Sequence, residues 1–200
     1  ASGADGQSYE FSLADGSTVS DVELLQLTTG SGDDHLTFTH TTTPGYQSWS
    51  AGAGNDTAEV DFSGLSTGVH YNNYWGEGTL VSSYNGSGYD YNVSLKSVEN
   101  LTFSGGSGAD AIFQYTGNNK LVGNDGDDGL YCYGSGDDTL IGGAGNDNLY
   151  ASTGKVVADG GSGIDTLVAD LGSTSENVTG VLASGADGQS YEFSLADGST

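Results

Sequence analysis

Between Gly105 and Val168 the chain divides into blocks of nine residues: GGSGADAIF, QYTGNNKLV, GNDGDDGLY, YGSGDDTLI, GGAGNDNLY, ASTGKVVAD and GGSGIDTLV. One extra residue, Cys132, stands between the third and fourth blocks. The blocks follow one template: mostly small residues at positions one and two, Gly at four, usually Asp at six, usually an aliphatic at eight. A single such block would be an ordinary turn. Near-contiguous blocks in register mark a repeat architecture, in which stacked units bury a face that none could bury alone.

The template, G-G-x-G-x-D-x-U-x, resembles the RTX, or haemolysin-type, calcium-binding nonapeptide. The resemblance implies an all-β fold: a calcium-bound parallel β-roll, or RTX solenoid, here with two inserted β-hairpin interruptions. The glycines let the first six residues form a tight turn with backbone angles other residues avoid. The last three make a short strand whose position-eight side chain points inward. Ile112, Leu121, Leu130, Leu140, Leu149 and Leu167 are the expected apolar ladder. Two blocks make one coil, so turns two blocks apart share an edge. Asp110, Asp128, Asp147 and Asp165 fit this, spaced by 18, 19 and 18 residues, with Cys132 accounting for the 19.

Stacked coils rise ~4.8 Å, the strand spacing of a sheet. Carboxylates that close repel, whereas calcium seeks six to eight oxygens at roughly 2.3–2.6 Å. Carboxylates from two stacked turns plus turn carbonyls supply that shell. Ions are therefore expected between Asp110 and Asp128, Asp128 and Asp147, and Asp147 and Asp165, in turns opened by Gly105, Gly123, Gly142 and Gly160. The opposite edge offers Asn119, Asp138 and then Val156, so a weaker site is expected near Asn119 and Asp138.

Composition agrees with bound cations. The formal net charge is −24, with Lys96, Lys120 and Lys155 the only Lys or Arg residues. Self-repulsion at such a charge opposes compaction. Without a basic patch, nucleic acid and anionic membranes are poor partners, and no apolar span suggests membrane insertion. A lone cysteine forms no intrachain disulfide and is expected to pack. Scarce cysteine with calcium turns points to a secreted bacterial protein at the extracellular cell surface, where calcium is abundant. RTX proteins usually carry a C-terminal type I secretion signal. None is seen here, and an internal fragment is expected.

Residues 1–18, ASGADGQSYEFSLADGST, are identical to residues 183–200, an offset of 182. Such identity implies a 182-residue unit repeated in tandem, its partners being neighbouring units of the same chain. The expected organisation is residues 1–28, second half of a hairpin interruption; 29–59, a short roll; 60–104, a β-strand interruption; 105–168, the main roll; and 169–200, a further interruption running into the next unit. In the short roll, Asp34 and Asp56 occupy position six, 22 residues apart, and could share an ion. The interruption 60–104 resembles one recurrent in RTX arrays, through Asp61, Phe62, Ser63, Gly68, Val69, Val98, Glu99, Asn100 and Leu101. It recurs after the main array: Val22-Glu23 corresponds to Val98-Glu99, and Asp34 to Asp110, both at an offset of 76.

Other chemistry is weaker. Trp49, Tyr71, Tyr74 and Trp75 belong to an aromatic-rich stretch and are candidate glycan-stacking residues beside calcium turns, or else packing residues. His35, His40 and His70 lack the spacing of a zinc site. Paired carboxylates such as Asp127/Asp128 are explained by repeat positions five and six, and there is no GxSxG. The reading is a non-enzymatic, calcium-stiffened extender of an adhesin or surface fibre. The alternatives are a calcium-dependent carbohydrate-binding module, with glycans or cell-surface material as partner, or an accessory RTX module of a secreted enzyme.

Overall fold

Each nonapeptide turns the chain through half a coil, so successive strands alternate between two sheets. The computed structural model describes residues 9–12, 18–22, 24–39, 45–73, 77–82, 91–170, 178–181 and 192–195. The strands are β1 (Tyr9–Ser12), β2 (Thr18–Val22), β3 (Gln26–Thr28), β4 (His35–Thr39), β5 (Gly45–Ser50), β6 (Thr57–Asp61), β7 (Val69–Asn72), β8 (Glu77–Ser82), β9 (Tyr91–Lys96) and β10 (Asn100–Ser104). They continue with β11 (Ala111–Gln114), β12 (Lys120–Asp125), β13 (Gly129–Ser135), β14 (Asp138–Ala144), β15 (Asn148–Thr153), β16 (Val156–Ser162), β17 (Thr166–Ala169), β18 (Val178–Val181) and β19 (Glu192–Leu195).

A long sheet of nine strands has the order β17-β15-β13-β11-β7-β8-β9-β5-β3, and a short sheet of six has β16-β14-β12-β10-β6-β4. In the main array every pairing is parallel, with partners one coil apart. The two sheets face each other across one apolar core. The position-eight ladder lies in it, shared between the sheets. Ile112, Leu130, Leu149 and Leu167 stack in the long sheet, and Leu121 and Leu140 pair in the short one. All except Leu149 and Leu167 are fully buried; Leu149 is buried and Leu167 partly so. Truncating Leu140 to Ala should cost about 2–5 kcal/mol, the range for a buried leucine whose surroundings cannot collapse. Denaturant melts in calcium would read this. Val157→Ala, on an outward position, should leave the midpoint almost unchanged.

The interruption is built into the roll. β10 lies parallel on β6, Leu101 opposite Ala58, so the short sheet continues straight across it. Among the described strands of the interruption, β7, β8 and β9 leave the coil path. They form an antiparallel meander in the long sheet, with β9 parallel to β5 at one side and β7 parallel to β11 at the other. The departure from the coil is thus narrower than residues 60–104. At the chain ends, β1–β2 and β18–β19 are two separate antiparallel hairpins.

Cys132 is not the bulged residue. It sits in the ladder between Gln114 and Ala151, fully buried, and the register shifts after it, between Cys132 and Ser135. The extra residue is absorbed where Tyr133 projects outward. There Tyr133 stacks on Tyr115 with centroids 5.0 Å apart and lies 4.7 Å from Tyr150.

The aromatic expectation needs correction. Trp49 is 1% exposed and Tyr71 0%, both inside the core, so neither can stack on a sugar. Strand alternation turns them inward with Val93, Leu95 and Val69. Trp49 Nε1 donates to Thr29 Oγ1 at 3.1 Å. Burial pushes the Tyr71 hydroxyl far above the usual phenol range. Tyr74, Trp75 and His40 lie outside the described residues.

Candidate metal centre

Four position-six aspartates of the main array, Asp110, Asp128, Asp147 and Asp165, stand at turns leading into strands of the long sheet, with their side chains turned under the preceding coil. One oxygen has a fixed task. Asp110 N–H donates to Asp128 Oδ1 at 2.7 Å, Asp128 N–H to Asp147 Oδ1 at 2.8 Å, and Asp147 N–H to Asp165 Oδ1 at 2.9 Å. The column starts at Val69 N–H, which donates to Asp110 Oδ1 at 2.7 Å. Each carboxylate thereby caps the backbone of the coil before it, which fixes the side chain and aims the second oxygen into the turn.

That second oxygen is the informative one. Oδ2 of Asp128 and of Asp147 is buried without a hydrogen-bond partner. A buried carboxylate oxygen left unmatched carries a desolvation cost of several kcal/mol unless a cation meets it. The missing Cβ atoms of the position-one glycines open the space beside it. A Cβ built on Gly123 would fall against Asp128 Oδ2 and 2.6 Å from Gly142 O; one on Gly142 would fall against Asp147 Oδ2. Gly105 and Gly160 stand in the same relation to Asp110 and Asp165. Each seat is thus lined by a carboxylate oxygen, and those of Gly105, Gly123 and Gly142 also by the carbonyl of the next coil. Among the described residues no three His, Cys, Asp or Glu side chains cluster as a metal site. The donor set is carboxylate plus backbone carbonyl, all hard oxygen, which suits calcium rather than zinc or copper.

The electrostatics agree. Burial pushes the Asp128 carboxyl up to about 7 against the hydrogen bond from Asp110, and the charges of Asp110, Asp147 and Asp127 add to the rise. Burial raises Asp110 to about 6 against bonds from Val69 and Gly106. Asp147 and Asp138 also rise, chiefly through burial. The first turn differs in one respect: Gly106 N–H donates to Asp110 Oδ2 at 3.0 Å, so that oxygen is already matched.

The opposite edge carries a second column. Asp34 N–H donates to Asp56 Oδ1 at 2.8 Å, and Asp34 Oδ2 and Asp56 Oδ2 are both buried and unmatched, as at Asp128 and Asp147. The structure brings this expected pair together. Asp56 N–H in turn donates to Glu99 Oε2 at 2.9 Å. Glu99 takes the capping role across the interruption, a role that the lapsed repeat hid in the sequence. Further along, Leu101 N–H donates to Asn119 Oδ1, and Asn119 N–H to Asp138 Oδ1. Here, at the expected weaker site, the Asn119 side chain adds donors of its own. The Asn119 amide donates to Thr116 O at 3.0 Å, Gly117 O at 3.1 Å and Asp138 Oδ1 at 2.9 Å. These bonds tie two turn carbonyls and one carboxylate oxygen to the amide. Asp138 Oδ2 stays buried and unmatched.

Position five has its own ladder, which sequence reasoning missed. These side chains are exposed, yet they cap the following coil. Asp127 Oδ1 accepts from Asn146 N–H at 2.8 Å, Asn118 Oδ1 from Asp137 N–H at 2.8 Å, and Asn146 Oδ1 from Ile164 N–H at 2.9 Å. The Asp and Asn residues at this position were the available signal.

A family model described as the RTX calcium-binding nonapeptide repeat (4 copies) matches residues 104–131 and 134–167. These segments are RTX repeats. The gap between them falls at the bulge beside Tyr133. No curated protein matches the chain. The RTX roll is an all-β, calcium-binding structural repeat that holds several ions, and the unmatched oxygens of Asp128 and Asp147 lie within it. When bound, calcium supplies the positive charge that the turn oxygens lack. The chain supplies two capped columns of carboxylates and seats left open by glycine.

Proposed function

We propose that this chain is a non-enzymatic extender segment of a large secreted protein, an adhesin or surface fibre of a bacterium, stiffened by calcium outside the cell. The observation that carries the reading is the column of buried, partnerless Asp Oδ2 atoms in a chain of net charge −24. Without cations these groups oppose folding, which suits export in a loose state. With millimolar calcium, binding free energy becomes folding free energy. The identity of residues 1–18 with 183–200 supports tandem repetition, as expected of a spacer. The carbohydrate-binding alternative loses support, because Trp49 and Tyr71 are core residues. Aromatic rings on the outer face of the long sheet stack on one another, Phe113 on Tyr131 at 4.5 Å, and so cover each other's faces. Small-angle scattering on chains of one to four units tests the reading. A rod that lengthens linearly with unit number in calcium, and expands to a coil in chelator, is the expected result. An unchanged profile on chelation would overturn it.

A further inference from the structure

We propose that consecutive units join with both sheets unbroken, and that the two terminal hairpins are halves of one meander, completed only when a second copy of the unit follows. The proposal rests on the tandem reading above. Residues 10–13 and 192–195 are the same tetrapeptide, EFSL. In β19 this segment pairs antiparallel with β18, Phe193 opposite Gly180. Its first three residues lie in β1 and pair antiparallel with β2, Phe11 opposite Val19. A strand that takes one antiparallel partner before it and another after it is the centre of a three-stranded meander.

The internal meander supplies the template. Residues 62–68 lead from β6 into β7, and residues 170–177 lead from β17 into β18. Residues 97–99 lead from β9 to β10, and residues 23–25 from β2 to β3. The two meanders therefore enter and leave the coil alike but differ in phase by half a coil. β6 lies in the short sheet and its meander enters the long one; β17 lies in the long sheet, so its meander enters the short one. Copying the internal pairings, β9 on β5, β10 on β6 and β7 against β11, sets the junction. The next unit's β2 adds to β16, its β3 adds to β17, and β18 lies against its β4.

Two observations fit such a junction. Among the described residues, four of the six exposed large apolar side chains stand on or beside the edge strands it would cover: Leu24 beside β3, and Val157, Ile164 and Val168 on or beside β16 and β17. The strand numbers also balance. The short sheet has six strands and the second meander adds three, which equals the nine of the long sheet. One meander alone would wedge the sheets apart on one side. Two on opposite sides cancel, giving a straight array that rises roughly 43 Å per unit, nine strand spacings of ~4.8 Å.

Gly32 offers the sharpest test. A Cβ there meets nothing within 4 Å, and no coil lies beneath it among the described residues. Its counterpart at the offset of 76, Gly108, would meet Gly68 N at 2.5 Å and Thr67 C at 2.7 Å, just before β7. In a two-unit chain with calcium, Gly32→Ala in the first unit should leave the melting temperature unchanged. The same change in the second unit should lower it by roughly 5–10 °C, because the backbone before β18 must move. Equal effects at the two sites would overturn the continuous junction. If scattering on the same unmutated chain still gave a calcium-dependent rod, the extender reading would survive that failure. A scattering profile indifferent to chelation would sink the extender reading instead.

Discussion

At pH 8 in chelator, Asp128→Asn should melt higher than the unmodified chain, and in millimolar calcium it should melt lower. The sign follows from the two oxygens of Asp128. Asparagine keeps Oδ1 for the Asp110 N–H, as Asn119 does for Leu101 N–H. It also removes a buried negative charge, and its amide can donate to turn carbonyls as the Asn119 amide does. Without calcium the folded carboxyl sits at about 7, above its ordinary value of 3.8. A carboxyl raised on folding binds its proton more tightly in the folded state. Stability is then fullest below about 4 and is lost as pH rises through about 7. The chelated chain should therefore gain stability on going from pH 8 to pH 5. With calcium the slope reverses, because protons compete with the ion for Oδ2. Each site filled at a thousandfold excess over its dissociation constant contributes about 4 kcal/mol, so chelation at pH 8 should be the largest single perturbation. Asp127→Ala is the contrast. Its exposed Oδ1 accepts from Asn146 N–H, and its loss should cost about 0.5–1.5 kcal/mol under both conditions. Thermal melts at the two pH values, with and without calcium, decide it. If Asp128→Asn lowered stability equally in calcium and in chelator, Asp128 would be a cap and not a ligand.

The parts of this fold that were legible in the sequence are those fixed by a period. Leu121 and Leu140, 19 residues apart, had to stack once two blocks made a coil, and they do. Asp128 and Asp147 had to share an edge for the same reason. What lay outside the period was harder to see. Glu99 caps Asp56 from 43 residues away, across three meander strands, and no local spacing announces it. Trp49 and Tyr71 belong to an aromatic-rich stretch that left glycan stacking and packing both open, and strand alternation sends them into the core. Asn119 read as a poorer ligand than aspartate, and its amide donates to Asp138 Oδ1, a bond that spacing alone does not announce. Cys132 was the surplus residue by counting, whereas the ladder keeps it for its apolar, buried thiol and lets Tyr133 bulge instead. Counting locates an insertion to within a block; side-chain burial decides which residue is expelled.

Position four of the repeat shows how far the stacked backbone limits the sequence. Every block has glycine there, from Gly32 and Gly54 to Gly163. Gly145 adopts φ +145°, a region that side chains avoid, and a Cβ on it would fall on Gly126 O of the coil below. Gly126 O belongs to a turn held on both sides: Gly126 N–H donates to Ala144 O, and Asp127 holds Asn146. Neither the side chain nor the carbonyl can step aside without opening the two capping ladders. Gly145→Ala should therefore cost about 2–6 kcal/mol, combining backbone strain with displacement of neighbouring backbone. It should also weaken calcium binding, because Asp147 lies two residues on and loses its alignment under Asp128. Gly32→Ala in a single unit has neither the positive φ nor a neighbour within 4 Å and should change the melting temperature by less than about 2 °C. Comparison of the two variants by calorimetry and calcium titration separates the causes. If Gly32→Ala proved as damaging as Gly145→Ala, glycine would be required by the turn itself. If only Gly145→Ala is damaging, the requirement comes from the coil stacked beneath, and the repeat is conserved along the chain because each turn is the floor of the next.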